Sequence, residues 1–145
     1  MTHAGWKTPA VADRTFPFVP RSARQLQQGD LIAVPCEPSG WAGLQVVEVK
    51  QSGVGSVKNF VAGALPWFGE DAPTRRSVRR LAAVPVGLTR TEIFTDAGCS
   101  VVGNAPVKKT RFDSHFGPKP VGTVLYSWGW QAALDIARDV ALQAR

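Results

Sequence analysis

The chain is poor in the residues from which most reactive sites are built. It has two histidines, His3 and His115, and two cysteines, Cys36 and Cys99. A structural zinc site needs ligands paired at short spacing, and no CxxC or HxxxH occurs. Neither GxxxxGK[ST] nor GxGxxG is present, so no phosphate cradle is expected. No apolar run approaches the roughly 18 residues that a membrane span needs. The first 18 residues, MTHAGWKTPAVADRTFPF, lack the apolar h-region of a signal peptide. These absences lead to an expectation of a cytoplasmic protein with no metal, no cofactor and no membrane partner. In that compartment Cys36 and Cys99 are expected to be reduced, packed thiols.

Catalytic groups are equally sparse. Cys36/His115 or Cys99/His115 pairing is conceivable, with Asp113 and Ser114 beside the histidine, but adjacency in sequence does not make a triad. Among the carboxylates only Glu70 and Asp71 are neighbours. They precede a basic run, so local pairing with Arg75 or Arg76 is the simpler account than acid–base work. A non-enzymatic role follows.

The chain is rich in turn formers, with 14 glycines and 11 prolines in 145 residues. This favours strands and turns over long helices. The length suits one domain with its own core. Residues 1–21 lack a period and read as a flexible N-terminal arm, whose end Phe16 and Phe18 pin as an edge strand. Residues 22–145 form the β-rich domain. Its organising stretch is GDLIAVPCEPSGWAGLQVVEV, Gly29–Val49. Leu31–Val34 and Leu44–Lys50 read as two strands joined through a Gly/Pro-rich connection. Val57–Leu65 is a third strand. Leu81–Leu88 is a fourth, placed at an edge or bulged by Pro85. Cys99–Gly103 is a fifth, and Val121–Tyr126 fits a last one. Thr91–Ala97 reads as a helical turn stopped by Gly98.

The clearest helix spans 128–144, with Ser127 as its N-cap. Trp130, Ala133, Leu134, Ala137, Val140 and Ala141 recur at three- and four-residue steps. The expected fold is mostly β (α+β). It is a small bent antiparallel sheet, or an SH3-like barrel, with this helix packed on it through Trp130, Leu134, Ala137 and Ala141.

The net charge of +6 comes from 17 Lys and Arg against 11 Asp and Glu. Arg75, Arg76, Arg79 and Arg80 share one face if their segment is a short helix capped by Thr74, and a loop fits nearly as well. Lys108, Lys109 and Arg111 add to the basic balance. Such charge beside Trp67 and Phe68 is compatible with a nucleic-acid-binding module. Five tryptophans are many for this length. Trp41 and Trp67 lie in Gly/Pro-rich connections and read as exposed anchors of a protein interface. Together Trp41, Trp67, Arg75, Arg76, Arg79 and Arg80 form the candidate partner-binding set.

Two segments resemble the bacterial polymorphic-toxin immunity proteins of family 26. Gly29, Asp30, Pro35, Trp41 and Gly43 match a Gly-Asp pair, an apolar strand ending near Pro, and a Gly/aromatic loop before the second strand. Val101, Val102, Gly103 and Pro106 match a second marker, an apolar strand closing on Gly. The similarity covers Gly29 to Pro106. Cys99 stands where that family carries an aromatic, and Leu44-Gln45 where a basic residue is expected. The resemblance implies a protein that neutralises a cognate toxin by direct binding, as in toxin–antitoxin pairs. The positive surface implies an acidic partner face.

Overall fold

The computed structural model of the chain describes residues 14–50, 52–108, 116 and 126–145. Five antiparallel strands form one sheet in the order β4-β3-β2-β1-β5. They are β1 (Asp30–Pro35), β2 (Trp41–Val49), β3 (Asn59–Ala64), β4 (Val86–Arg90) and β5 (Ser100–Asn104). The first four form a meander, and β5 returns beside β1. This is the strand order of an SH3-like barrel, left open between β4 and β5. Irregularities between Leu31 and Ile32, and between Val46 and Glu48, interrupt the ladders. Each inserts the extra residue that bends a strand and sharpens its twist.

Both faces of the sheet are buried, and alternation sorts the side chains between them. Ile32, Val34, Leu44, Val46, Phe60 and Ala62 point to one face. The 15-residue helix α3 (Trp130–Ala144) covers them with Ala133, Leu134, Ala137 and Ala141, all buried, while Trp130 packs half-buried alongside. The four-residue helix α2 (Glu92–Thr95) adds Ile93 and Phe94, and the Phe94 ring stacks on Phe60 with centroids 5.8 Å apart. Leu31, Val47, Val61 and Leu65 point to the opposite face, which receives Val78, Ala83, Ala105 and the half-buried Trp67. Most of β2 is therefore inaccessible on both sides.

Several details differ from the sequence reading. Helix α3 begins at Trp130 with Gly129 as its N-cap; Ser127 instead makes a parallel bridge to Leu88. The fourth strand starts at Val86, because Pro85 has no N–H to give to the ladder. Most of the strand expected over 121–126 lies outside the described residues, as do Trp6, Lys109, Arg111 and His115. Gly98, at φ +76°, ends α2 as expected.

Both edges of the sheet are covered, which removes the template for strand addition. Backbone bonds from Leu88 N–H to Tyr126 O (2.9 Å) and from Trp128 N–H to Leu88 O (2.6 Å) cover β4. On β5, Phe18 and Val101 exchange two backbone bonds of 3.0 and 2.9 Å. The N-terminal segment is thus docked from Arg14 onward. The Arg14 guanidinium donates to both oxygens of the fully buried Asp30 carboxylate (2.6 and 2.7 Å) and lies over Phe16 and Phe18. Asp30 also accepts from the Asn104 side chain and the Gln27 N–H. A buried carboxylate is tolerable only when its lone pairs are satisfied in this way.

Candidate protein-binding surface

The two segments singled out in the sequence, 35–43 and 66–80, meet at one end of the sheet. Trp41, the first residue of β2, forms an antiparallel bridge with Gly69. Trp41 N–H donates to Gly69 O at 2.8 Å, and Gly69 N–H donates to Trp41 O at 3.1 Å. Gly69 is thus tied to the first residue of β2 by a single bridge, and Trp67 and Phe68 before it pack against opposite core clusters. Phe68 lies directly on Gly40, where an added Cβ would overlap its ring. Gly40 sits at φ +93°, a conformation that an L side chain rarely adopts. Trp67 folds back over Gly69 in the same close fashion.

The end of α3 reaches this junction. Arg145 places its guanidinium 4.9 Å from the Phe68 ring centroid, and Arg138 donates through Nε to Pro35 O at 2.9 Å. A cation over an aromatic face is held by the ring quadrupole. Arg145 thus covers Phe68 on the α3 side of the sheet, a contact that the sequence reading missed. Its only signal was a basic residue at the helix C-terminus, which is too common to single out.

The arginine run opens with a short capped helix that holds Arg75 and Arg76, and Arg79 and Arg80 follow in the turn after it. Helix α1 (Arg75–Val78) has a complete capping box. Ser77 N–H donates to Thr74 Oγ1 at 3.1 Å, and Thr74 N–H donates to Ser77 Oγ at 2.9 Å. Val78 is buried in the second core cluster, and Pro73 is buried beside Gly43. With that face anchored, Arg75, Arg76, Arg79 and Arg80 are all exposed. The expected pairing of Glu70 or Asp71 with Arg75 or Arg76 does not form. The ion pairs among the described residues are Arg14–Asp30, Arg90–Glu92 and Arg138–Asp135. Trp41 and Trp67 are half-buried rather than exposed anchors, with Trp67 packed against the second core cluster.

The thiols are placed away from chemistry. Cys36 and Cys99 are both free and buried on the α3 face. Burial pushes both thiols up, Cys99 to about 11, against the weaker pull of Arg138. A nucleophilic cysteine needs the opposite shift. Among the described residues no three His, Cys, Asp or Glu side chains gather as metal ligands would, and no helix is long and apolar enough to cross a membrane.

Comparison with protein-family models, with curated proteins and with solved structures returns no match.

Proposed function

We propose that the protein is a non-enzymatic binding protein of the toxin-immunity kind its sequence resembles, which neutralises a cognate toxin by direct contact. The observation that carries this reading is the Trp41–Gly69 backbone pairing, which joins both Gly/Pro-rich segments into one surface beside four exposed arginines. The capping box, the buried Val78 and the docked Phe68 fix that surface before binding. Fixing it beforehand lowers the ordering cost of association. Arginine is the side chain best shaped to grip carboxylates through two parallel hydrogen bonds. The partner face is accordingly acidic, and a stable complex buries about 1,200–2,000 Å² in total. The site of action is the cytoplasm.

The test is protection. A toxin domain encoded directly upstream is expressed with and without this chain, and growth and co-purification are measured. Restored growth with a stable complex supports the reading. Growth arrest despite abundant folded protein contradicts it.

The same four guanidinium groups support one alternative, a basic nucleic-acid-binding module. That reading requires affinity for arbitrary oligonucleotides that falls steeply with salt.

A further inference from the structure

We infer that the end of α3 is a clasp on the β1–β2 connection, with Arg138 and Arg145 as positioning residues that set the shape of residues 35–40. The inference rests on the binding reading above only in taking that connection as part of the partner surface. It deepens that reading by naming the residues that hold the connection in place.

The clasp follows from helix spacing. Arg138, Ala141 and Arg145 recur at i, i+3 and i+7, which places them on one side of α3. Ala141 between them is fully buried against the sheet. The two arginines lie about 10 Å apart along the helix axis and flank that contact. Arg138 takes one end of the connection. Trp41 bonds Gly69 through both of its backbone groups, so at the Pro35–Trp41 pair they point away from β1, and those of Pro35 point away from β2 in turn. The pairing of β5 with β1 ends at Ser100, opposite Ala33, and does not reach Pro35. The Pro35 carbonyl is left without a strand partner, and Arg138 Nε, 103 residues away, supplies the donor at 2.9 Å. Arg145 takes the other end through Phe68. Its guanidinium lies 4.9 Å from the ring centroid, and the ring fills the space in front of Gly40.

Between the two grips the connection is short. Cys36 N–H donates to Gly40 O at 2.9 Å, and Glu37, Pro38 and Ser39 stand exposed outside that bond. Cys36 itself is buried, and the charges of both arginines act on its thiol, although burial acts more strongly. Cys99 lies in the same core cluster and is acted on by Arg138. Pro35 is exposed, so water replaces the Arg138 donor when the clasp opens. Opening is therefore a local event of small free energy that leaves the core cluster closed. It uncovers Cys36 and not Cys99, which gives the chain a reporter and an internal control.

The test uses the full chain and iodoacetamide, and peptide mass spectrometry reads the labelling rate of each thiol separately. The wild type is compared with Arg138→Ala, Arg145→Ala and Arg138→Lys. Arg138→Ala is expected to speed labelling of Cys36 by about tenfold, the loss of one hydrogen bond to a charged group. Labelling of Cys99 is expected to change by less than about twofold in the same variant, because the opening is local. Arg145→Ala is expected to act in the same direction on Cys36. Arg138→Lys keeps a cation and a donor and is expected to stay close to the wild-type rate. Removing a nearby cation by itself makes a thiol less reactive, so faster labelling reports opening and not charge. Equal acceleration of both thiols overturns the inference, because the arginines then serve global stability alone. An unchanged Cys36 rate in both alanine variants overturns it too, as does acceleration by Arg138→Lys equal to that by Arg138→Ala. These rates need no partner, so failure to neutralise a toxin sinks the functional reading alone.

Discussion

Replacing Gly40 by alanine tests the construction of the surface at its most constrained point. Two costs add there. Gly40 has φ +93°, and an L residue in left-handed backbone loses roughly 1–2 kcal/mol. The new Cβ also overlaps the Phe68 ring, which Arg145 contacts as well. Overpacking of this kind costs about 1–3 kcal/mol. The sum for Gly40→Ala is about 2–5 kcal/mol. Gly98→Ala is the matched control: φ is +76°, yet nothing lies within 4 Å of its added Cβ. It carries the backbone cost alone, about 1–2 kcal/mol. Urea denaturation followed by tryptophan fluorescence gives both values, and a Phe68→Ala/Gly40→Ala double mutant isolates the overlap. The pair is expected to couple, with the double variant less destabilised than the sum of the singles. Equal losses for Gly40→Ala and Gly98→Ala, with no coupling to Phe68, refute the packing of Gly40 against Phe68.

Three further outcomes follow from the core and the latch. Leu134→Asp buries a charge between α3 and the sheet and is expected to cost at least about 3 kcal/mol in urea titration; unchanged stability means that the helix is not docked there. Asp30→Ala leaves Arg14 without its carboxylate and is expected to cost about 3–5 kcal/mol, with amide exchange at Phe18 and Val101 accelerating because their pairing depends on the same latch; unchanged exchange there contradicts the latch. The Cys99 thiol ionises in the folded state only near 11, above its ordinary 9.0, so the unfolded chain releases that proton first. Stability from this thiol is complete below pH 9 and is lost as pH rises through 9 toward 11. Denaturation midpoints at pH 8 and 10.5 are expected to fall less in Cys99→Ala than in the wild type, and an equal fall in both excludes this contribution.

The strands of the first half were legible because their turn residues and apolar runs are local. Gly29, at φ +96°, opens β1 where the Gly-Asp pair placed a turn, and β2 and β3 fall within a few residues of their expected bounds. What resisted reading depends on distant partners. Asp30 reads as a turn residue, yet its carboxylate is buried by Arg14, 16 residues away in a segment without periodicity. The sequence placed Trp41 and Gly69 in connections but not against each other, since a two-residue bridge leaves no pattern. The extent of burial was also hidden. β2 is closed on both faces, so Gln45 lies inside, donating to Ala105 O at 2.9 Å, at a position where a half-exposed strand would turn a polar side chain outward. The missing Glu70–Arg75 contact is of the same kind: neighbours in sequence are held apart by anchors on another strand.

The central claim is that one surface, joined by the Trp41–Gly69 pairing, carries the binding. Titration calorimetry of the wild type, Trp41→Ala and Arg76→Glu/Arg79→Glu against a toxin domain that the wild type is found to neutralise tests it most directly, once circular dichroism shows each variant folded. The arginine reversals are expected to weaken binding by at least about thirtyfold, the loss of one interface hot spot, and Trp41→Ala to weaken it measurably. A dissociation constant unchanged in both variants contradicts the claim and moves the interface elsewhere on the molecule.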